Sequence, residues 1–211
     1  NPALKPHAGG ILRHWSPPTD AELRDDQGIG LRNPDTGLFQ PYHLAGAYDS
    51  NVALSVTHGS SRRKSFERLA EILRTMEVRG SDLRLNLDFH YGLLHWMLGH
   101  DPMVKPNTRF VQAYLALAGK LQQQADELSL ETAWQHTLQQ VQEQWGPDGV
   151  ALCEQKQTLI LRPLKRLFDN AHLLMGWLAP RPQRRWLTDP QFQWWRNPVE
   201  VLADLYHYLR L

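Results

Sequence analysis

Arg32 closes the short apolar run Ile29-Gly30-Leu31 and is followed at once by the turn residues Asn33-Pro34. A guanidinium fixed at a strand end offers a planar fork that grips a carboxylate, bicarbonate or enolate oxygen through paired hydrogen bonds. The 10 histidines invite a metal reading. His90, His95 and His100 recur every fifth residue, however, which spreads them around a helix instead of stacking them on one face. There is no His-x-x-x-His pair and no Cys-x-x-Cys, so the sequence supplies no ligand set and the expected metal is none. Cys153 is the single cysteine, and no spacing ties it to a base; it reads as a small residue on a helix. Gly9-Gly10 is too short for a phosphate loop, and neither GxxxxGK[ST] nor GxGxxG occurs.

Arg181, Arg184 and Arg185 beside Trp186, with Trp194-Trp195-Arg196 following, form the one cluster that looks like a nucleic-acid surface. Asp189 and Glu200 interrupt it, and paired tryptophans serve more often as packing anchors at protein interfaces. The net charge of +1, from 23 basic and 22 acidic residues, gives no global field for nucleic acid or an anionic membrane. Neither is expected as a partner. No apolar run approaches the ~20 residues of a membrane span. One cysteine excludes a disulfide framework and fits a reducing cytoplasm, the expected location. The opening Asn1-Pro2-Ala3-Leu4-Lys5-Pro6 reads as the middle of a longer polypeptide.

These residues need elements to position them. Residues 1–46, rich in Gly and Pro, alternate briefly at Ile11–Trp15 and Ile29–Arg32, which predicts short hairpin-like strands. Val52, Leu54 and Val56 alternate with Ala53, Ser55 and Thr57, predicting a strand with these three apolar residues on its buried face. Ser60 or Ser61 can cap a helix carrying Phe66, Leu69, Ile72, Leu73 and Met76. Arg79-Gly80-Ser81 should break it, a strand is expected near Leu83–Leu87, and a second helix should bury Phe89, Leu93, Trp96 and Met97. A third helix starts near Thr108.

Beyond residue 120 the pattern is helical only. Ser129 caps a helix with Trp134, Leu138, Val141 and Trp145, which Trp145-Gly146-Pro147 stops. A run from about Val150 to Leu178 should be kinked or divided by Pro163. A last helix starts with Asn197 as N-cap, Pro198 and Glu200. The fold expected is α+β, short antiparallel strands with packed helices over 1–120, followed by an all-helical linker or docking segment over 121–211.

The words along the first part carry a resemblance. Ala8-Gly9-Gly10-Ile11-Leu12-Arg13-His14-Trp15-Ser16-Pro17-Pro18 is a glycine turn, apolar strand and Pro-Pro pair. Leu31-Arg32-Asn33-Pro34-Asp35-Thr36-Gly37 follows, then Tyr48-Asp49-Ser50 through Thr57-His58-Gly59-Ser60-Ser61-Arg62. Gly80, Leu85-Asn86 and Asn107-Thr108-Arg109-Phe110 complete the order. Residues from Gly9 to Lys120 thereby resemble the C-terminal part of the biotin carboxylase component of biotin-dependent carboxylases, such as the acetyl-CoA, propionyl-CoA and pyruvate enzymes.

The resemblance places Arg32 where the family holds an arginine against the biotin enolate, a fixed cation opposing a developing oxyanion. Asn33-Pro34-Asp35 stands where the family has a shorter link. Arg62 falls at a position of the dimer contact in free-standing bacterial enzymes. The resemblance implies a complete enzyme that uses ATP, Mg2+ and bicarbonate to carboxylate biotin, for later transfer to an acyl-CoA-type acceptor. The family's ATP-binding lysines, glycine-rich lid, metal-binding glutamates and bicarbonate-handling Glu-Arg segment precede the matched part. The isolated chain is therefore expected to be inactive. Its expected partners are the other domains of the same carboxylase, namely the ATP-grasp part, the biotinyl domain and the carboxyltransferase, within a homo-oligomer. Residues 121–211 contain no biotinyl Met-Lys-Met. The alternative reading is a catalytically inactive carboxylase-like scaffold or interaction module. A helical nucleic-acid binder resting on the Arg-Trp cluster is a third.

Overall fold

The computed structural model describes residues 9–16, 23–26, 29–44, 52–83, 85–99 and 107–178. The chain divides into two compact units, Ala3–Asn107 and Thr108–Leu211, the latter with Asn1–Pro2. The boundary placed at residue 120 thus falls inside a helix, and the units part at Asn107–Thr108. The described residues are α+β, with five helices and a small antiparallel sheet.

In the first unit β1 (Gly10–Trp15) is the middle strand of a three-stranded sheet, between β3 (Tyr42–Leu44) and β5 (Val78–Ser81). Both pairings are antiparallel. Leu12 points into the core with 0% exposure, while Arg13 and His14 face solvent. Leu12 lies opposite Gly80. A Cβ on Gly80 would stand 1.9 Å from the Ile11 carbonyl oxygen, so the two strands close only because that side chain is missing. Arg79-Gly80-Ser81 is therefore strand, where a break was expected. Among the described residues of Leu83–Leu87 no strand forms: Leu85 and Asn86 lead straight into α2 (Leu87–Leu98).

β2 (Leu23–Asp26) pairs antiparallel with β4 (Leu54–Thr57). The expected face of β4 is reversed. Leu54 and Val56 are 60% and 50% exposed, while Ser55 and Thr57 turn inward. Thr57 Oγ1 donates to the Ser65 carbonyl at 3.0 Å, tying the strand to α1 (Arg62–Thr75) through its polar face. Ser61 caps α1, its Oγ accepting from the Lys64 amide at 3.2 Å, a contact worth about 1 kcal/mol. Ala70 and Ile72 are the buried positions of α1. α2 buries Phe89, Tyr91, Gly92 and Leu94, leaving Leu93, Trp96 and Met97 half-buried. The face is rotated from the expected one because α2 packs on α1, and Arg63 Nη1 donates to the Leu98 carbonyl at 3.2 Å.

The second unit consists of α3 (Phe110–Asp126), α4 (Leu130–Phe168) and α5 (Ala171–Leu178). Ser129 caps α4 by accepting from the Thr132 amide. Gly146, at φ 69° and ψ −165°, interrupts α4 where the Trp-Gly-Pro word predicts a stop, and Pro147 opens the second stretch. Pro163 does not divide the run, and Gly146 is the residue of non-helical backbone within α4. The division comes at Asn170, whose Oδ1 accepts from the His172 and Leu173 amides to start α5. Tyr114, Trp134, Leu167, Met175 and Trp177 form the core of the unit. The helix expected from Asn197, the cluster Arg181–Arg196 and His100 lie outside the described residues. Among the described residues no helix is long and apolar enough to cross a membrane.

If the missing side chain at position 80 is what lets β1 close on β5, Gly80→Ala must push the strands apart. The expected cost is about 3 kcal/mol, the upper range for overpacking a tight contact. Urea denaturation of the variant should show the midpoint falling by roughly 1–3 M. An unchanged midpoint would mean the strands do not meet at Gly80.

Candidate functional site

Arg32 stands at the mouth of a small hairpin. Asn33 Oδ1 accepts from the Asp35 and Thr36 amides at 2.9 and 3.0 Å, and the Asn33 and Gly37 backbones close the turn. Gly37, at φ 68°, takes the left-handed conformation that this reversal requires. Arg32 bridges to Phe39 across the hairpin, and its Nη1 donates to the Gly37 carbonyl at 3.0 Å. The guanidinium is exposed and folds over its own turn. The Asn33-Pro34-Asp35 segment builds that turn.

The basic residues opening α1 also have local partners. The Arg62 guanidinium lies 5.4 Å from the centroid of the Phe66 ring, a cation–π contact, and is half-buried. Arg63 meets the Leu98 carbonyl at the C-terminal end of α2, where a cation offsets the helix dipole. Lys64 pairs with Glu67 at 2.7 Å, and Arg68 donates to the His58 carbonyl. Arg32 and Arg62 are not brought together by any of these contacts. His95 packs edge-on to Tyr91, with ring centroids 4.5 Å apart. Among the described residues no group of three or more His, Cys, Asp or Glu can hold a metal ion.

A cavity of about 490 Å³ lies among β4, α1, β5 and α2, within the first unit. Leu69 and Leu73 of α1, Met76 at its C-cap, Val78 of β5, and Leu93 and Leu94 of α2 form its apolar wall, and Trp15 reaches it from β1. Among the described residues three polar ones line it, Ser55, Asn86 and His90, and no charged one does. Asn86 occupies the N-cap position of α2, yet its side chain caps no amide. His90 follows four residues later, on the same side of the helix. The residue is exposed on its outer side, and the apolar surroundings on the cavity side pull its pKa below the ordinary 6.5 by desolvation. Trp15 Nε1 is enclosed and has no hydrogen-bond acceptor among the described residues.

No protein-family model, curated protein sequence or solved structure matches this chain.

The second unit holds a different polar group. Tyr114 Oη and His172 Nδ1 lie 2.8 Å apart with stacked rings, and burial pushes the phenol pKa upward. Gln122 joins three helices, its Nε2 donating to the Phe168 carbonyl and its Oε1 accepting from the Ala171 amide, each at 2.9 Å. Sequence reading missed both, because partners some fifty residues apart leave no spacing signal. Cys153 is half-buried on α4, in keeping with a small helical residue.

The His90 shift has a sign that can be checked. Below about pH 6.5 the unfolded imidazole takes a proton that the folded one resists, so the unfolded state binds more protons. Stability contributed by neutral His90 is present above that pH and lost as pH falls. Thermal melts between pH 7.5 and 5.5 should show a steeper fall in Tm for the native chain than for His90→Gln. Parallel curves would mean that His90 titrates as it does in water.

Proposed function

We propose that this chain supplies the C-terminal part of the biotin carboxylase portion of a multidomain acyl-CoA-type carboxylase, followed by a helical docking segment. The order and spacing of the words from Gly9 to Phe110 carry the reading. The fold supports it by joining distant words: the strand of the Gly9-Gly10 word pairs with the strand holding Gly80. In the complete enzyme ATP, bicarbonate and biotin are the reactants. On this reading Mg2+ and nucleotide belong to the ATP-grasp part of the enzyme. The chain's own contribution is a positive charge at Arg32, whose guanidinium spends one N–H on Gly37 and keeps its others exposed. A cation there opposes negative charge developing on a bound reactant. Arg62 lies at the start of α1, where a second carboxylase copy would meet it in the homo-oligomer. The helical unit would face the biotinyl and carboxyltransferase domains, with exposed Trp145, Leu152 and Leu159 as contact residues. The cytoplasm is the proposed location.

One observation favours the second reading, an inactive carboxylase-like scaffold. Arg32 and the α1 basic residues already hold local partners, as structural cations do.

Arg32→Ala in the complete polypeptide separates the two. On the carboxylase reading it should remove roughly 2–4 kcal/mol of transition-state stabilisation, about a 30- to 1,000-fold fall in biotin carboxylation. The KM for ATP should stay within about twofold. Arg32→Lys should rescue only partly, since an ammonium cannot reproduce the planar fork. A biotin-dependent rate within about twofold of the native one would leave Arg32 a hairpin staple and favour the scaffold. The 211-residue chain by itself should neither hydrolyse ATP nor carboxylate biotin in a coupled assay.

A further inference from the structure

We propose that the cavity among β4, α1, β5 and α2 is a binding site for an uncharged, mostly apolar small molecule bearing one hydroxyl head group. Neither Arg32 nor the carboxylase reading enters this inference. The volume of about 490 Å³ lies within the range of small-molecule pockets, roughly 300–1,000 Å³. The wall is leucine, valine and methionine from three elements, so it favours hydrocarbon.

The polar corner decides the head group. Asparagine at an N-cap ordinarily accepts from the first-turn amides, but the Asn86 side chain makes no such bond. Its amide is thereby left to serve another partner at the cavity wall. His90, one turn further along, supplies an imidazole kept toward its neutral form. Both groups can donate and accept, as a hydroxyl does. Among the described lining residues there is no Lys, Arg, Asp or Glu to offset the desolvation of a carboxylate or ammonium. A plain hydrocarbon would in turn strip water from Asn86 and His90 and return no hydrogen bond.

Octan-1-ol and octanoate, of equal chain length, are the probes. Isotope-labelled full chain is titrated with each at pH 7.5 and followed by NMR. Octan-1-ol should saturate one site, shift the Asn86 side-chain amide and His90 ring signals, and bind at least tenfold tighter than octanoate. Asn86→Ala should weaken octanol binding about fivefold with the fold retained, because the removed side chain caps nothing. Leu73→Trp should fill the cavity and abolish the saturable shifts. If that variant fails to fold, Leu93→Trp fills the same space from α2. No saturation by octan-1-ol, equal or tighter binding of octanoate, shifts confined to residues outside the cavity, or octanol affinity unchanged in Asn86→Ala would each overturn the proposal.

Discussion

The contact between β1 and β5 holds the first unit together. Ile11 meets Ser81, Leu12 meets Gly80, and the register slips before His14 meets Arg79 and Trp15 meets Val78. Ser16 and Glu77 extend the pairing past the strand ends, with two hydrogen bonds of 2.9 Å. Everything near the cavity hangs from this seam. It carries Trp15 and Val78 to the cavity wall, and it fixes the start of β5 directly after α1 ends at Thr75. The route from β5 to α2 is then short, and Asn86 and His90 arrive beside the leucines of α1.

Charge in this unit is spent locally. The guanidiniums of Arg32, Arg63 and Arg68 each hold a backbone carbonyl, and Arg62 covers a ring. Exposed ion pairs such as Lys64–Glu67 contribute little to stability, about 0–1 kcal/mol. Helix ends and turns gain more from the arginines, because each one satisfies a carbonyl that would otherwise rely on water. The described lining of the cavity, by contrast, carries no charged side chain. Any recognition there works through shape and neutral hydrogen bonds.

Local signals were legible in the sequence and long-range ones were not. Ser61 and Ser129 cap helices as their spacing predicts, and Gly146-Pro147 interrupts α4, because a cap or a left-handed glycine acts within four residues. β5 was hidden: Arg79-Gly80-Ser81 has no strand propensity, and only β1, more than sixty residues earlier, makes it one. The face of β4 was inverted for the same reason. Alternation marks two faces, and whether Leu54 or Ser55 turns inward depends on α1 lying against the strand. Pro163 lacks an amide, yet Leu164, Leu167 and Phe168 just beyond it are buried and the run stays helical. Trp134 and Trp177 are buried in their own unit, whereas Trp145 is exposed. As for the site, Arg32 and Arg62 were visible as residue types. Asn86 and His90 acquire meaning only once the surrounding elements place them together at the cavity wall.

Hydrogen exchange followed residue by residue tests the seam most directly. If β1 and β5 hold the first unit together, their ladder amides open only when the whole unit unfolds. They should then exchange as slowly as the amides of Ile72 in α1 and Leu94 in α2, with the Asn33–Leu38 hairpin exchanging far faster. Ladder amides of β1 and β5 exchanging at the hairpin's rate, while α1 and α2 stay protected, would contradict the account.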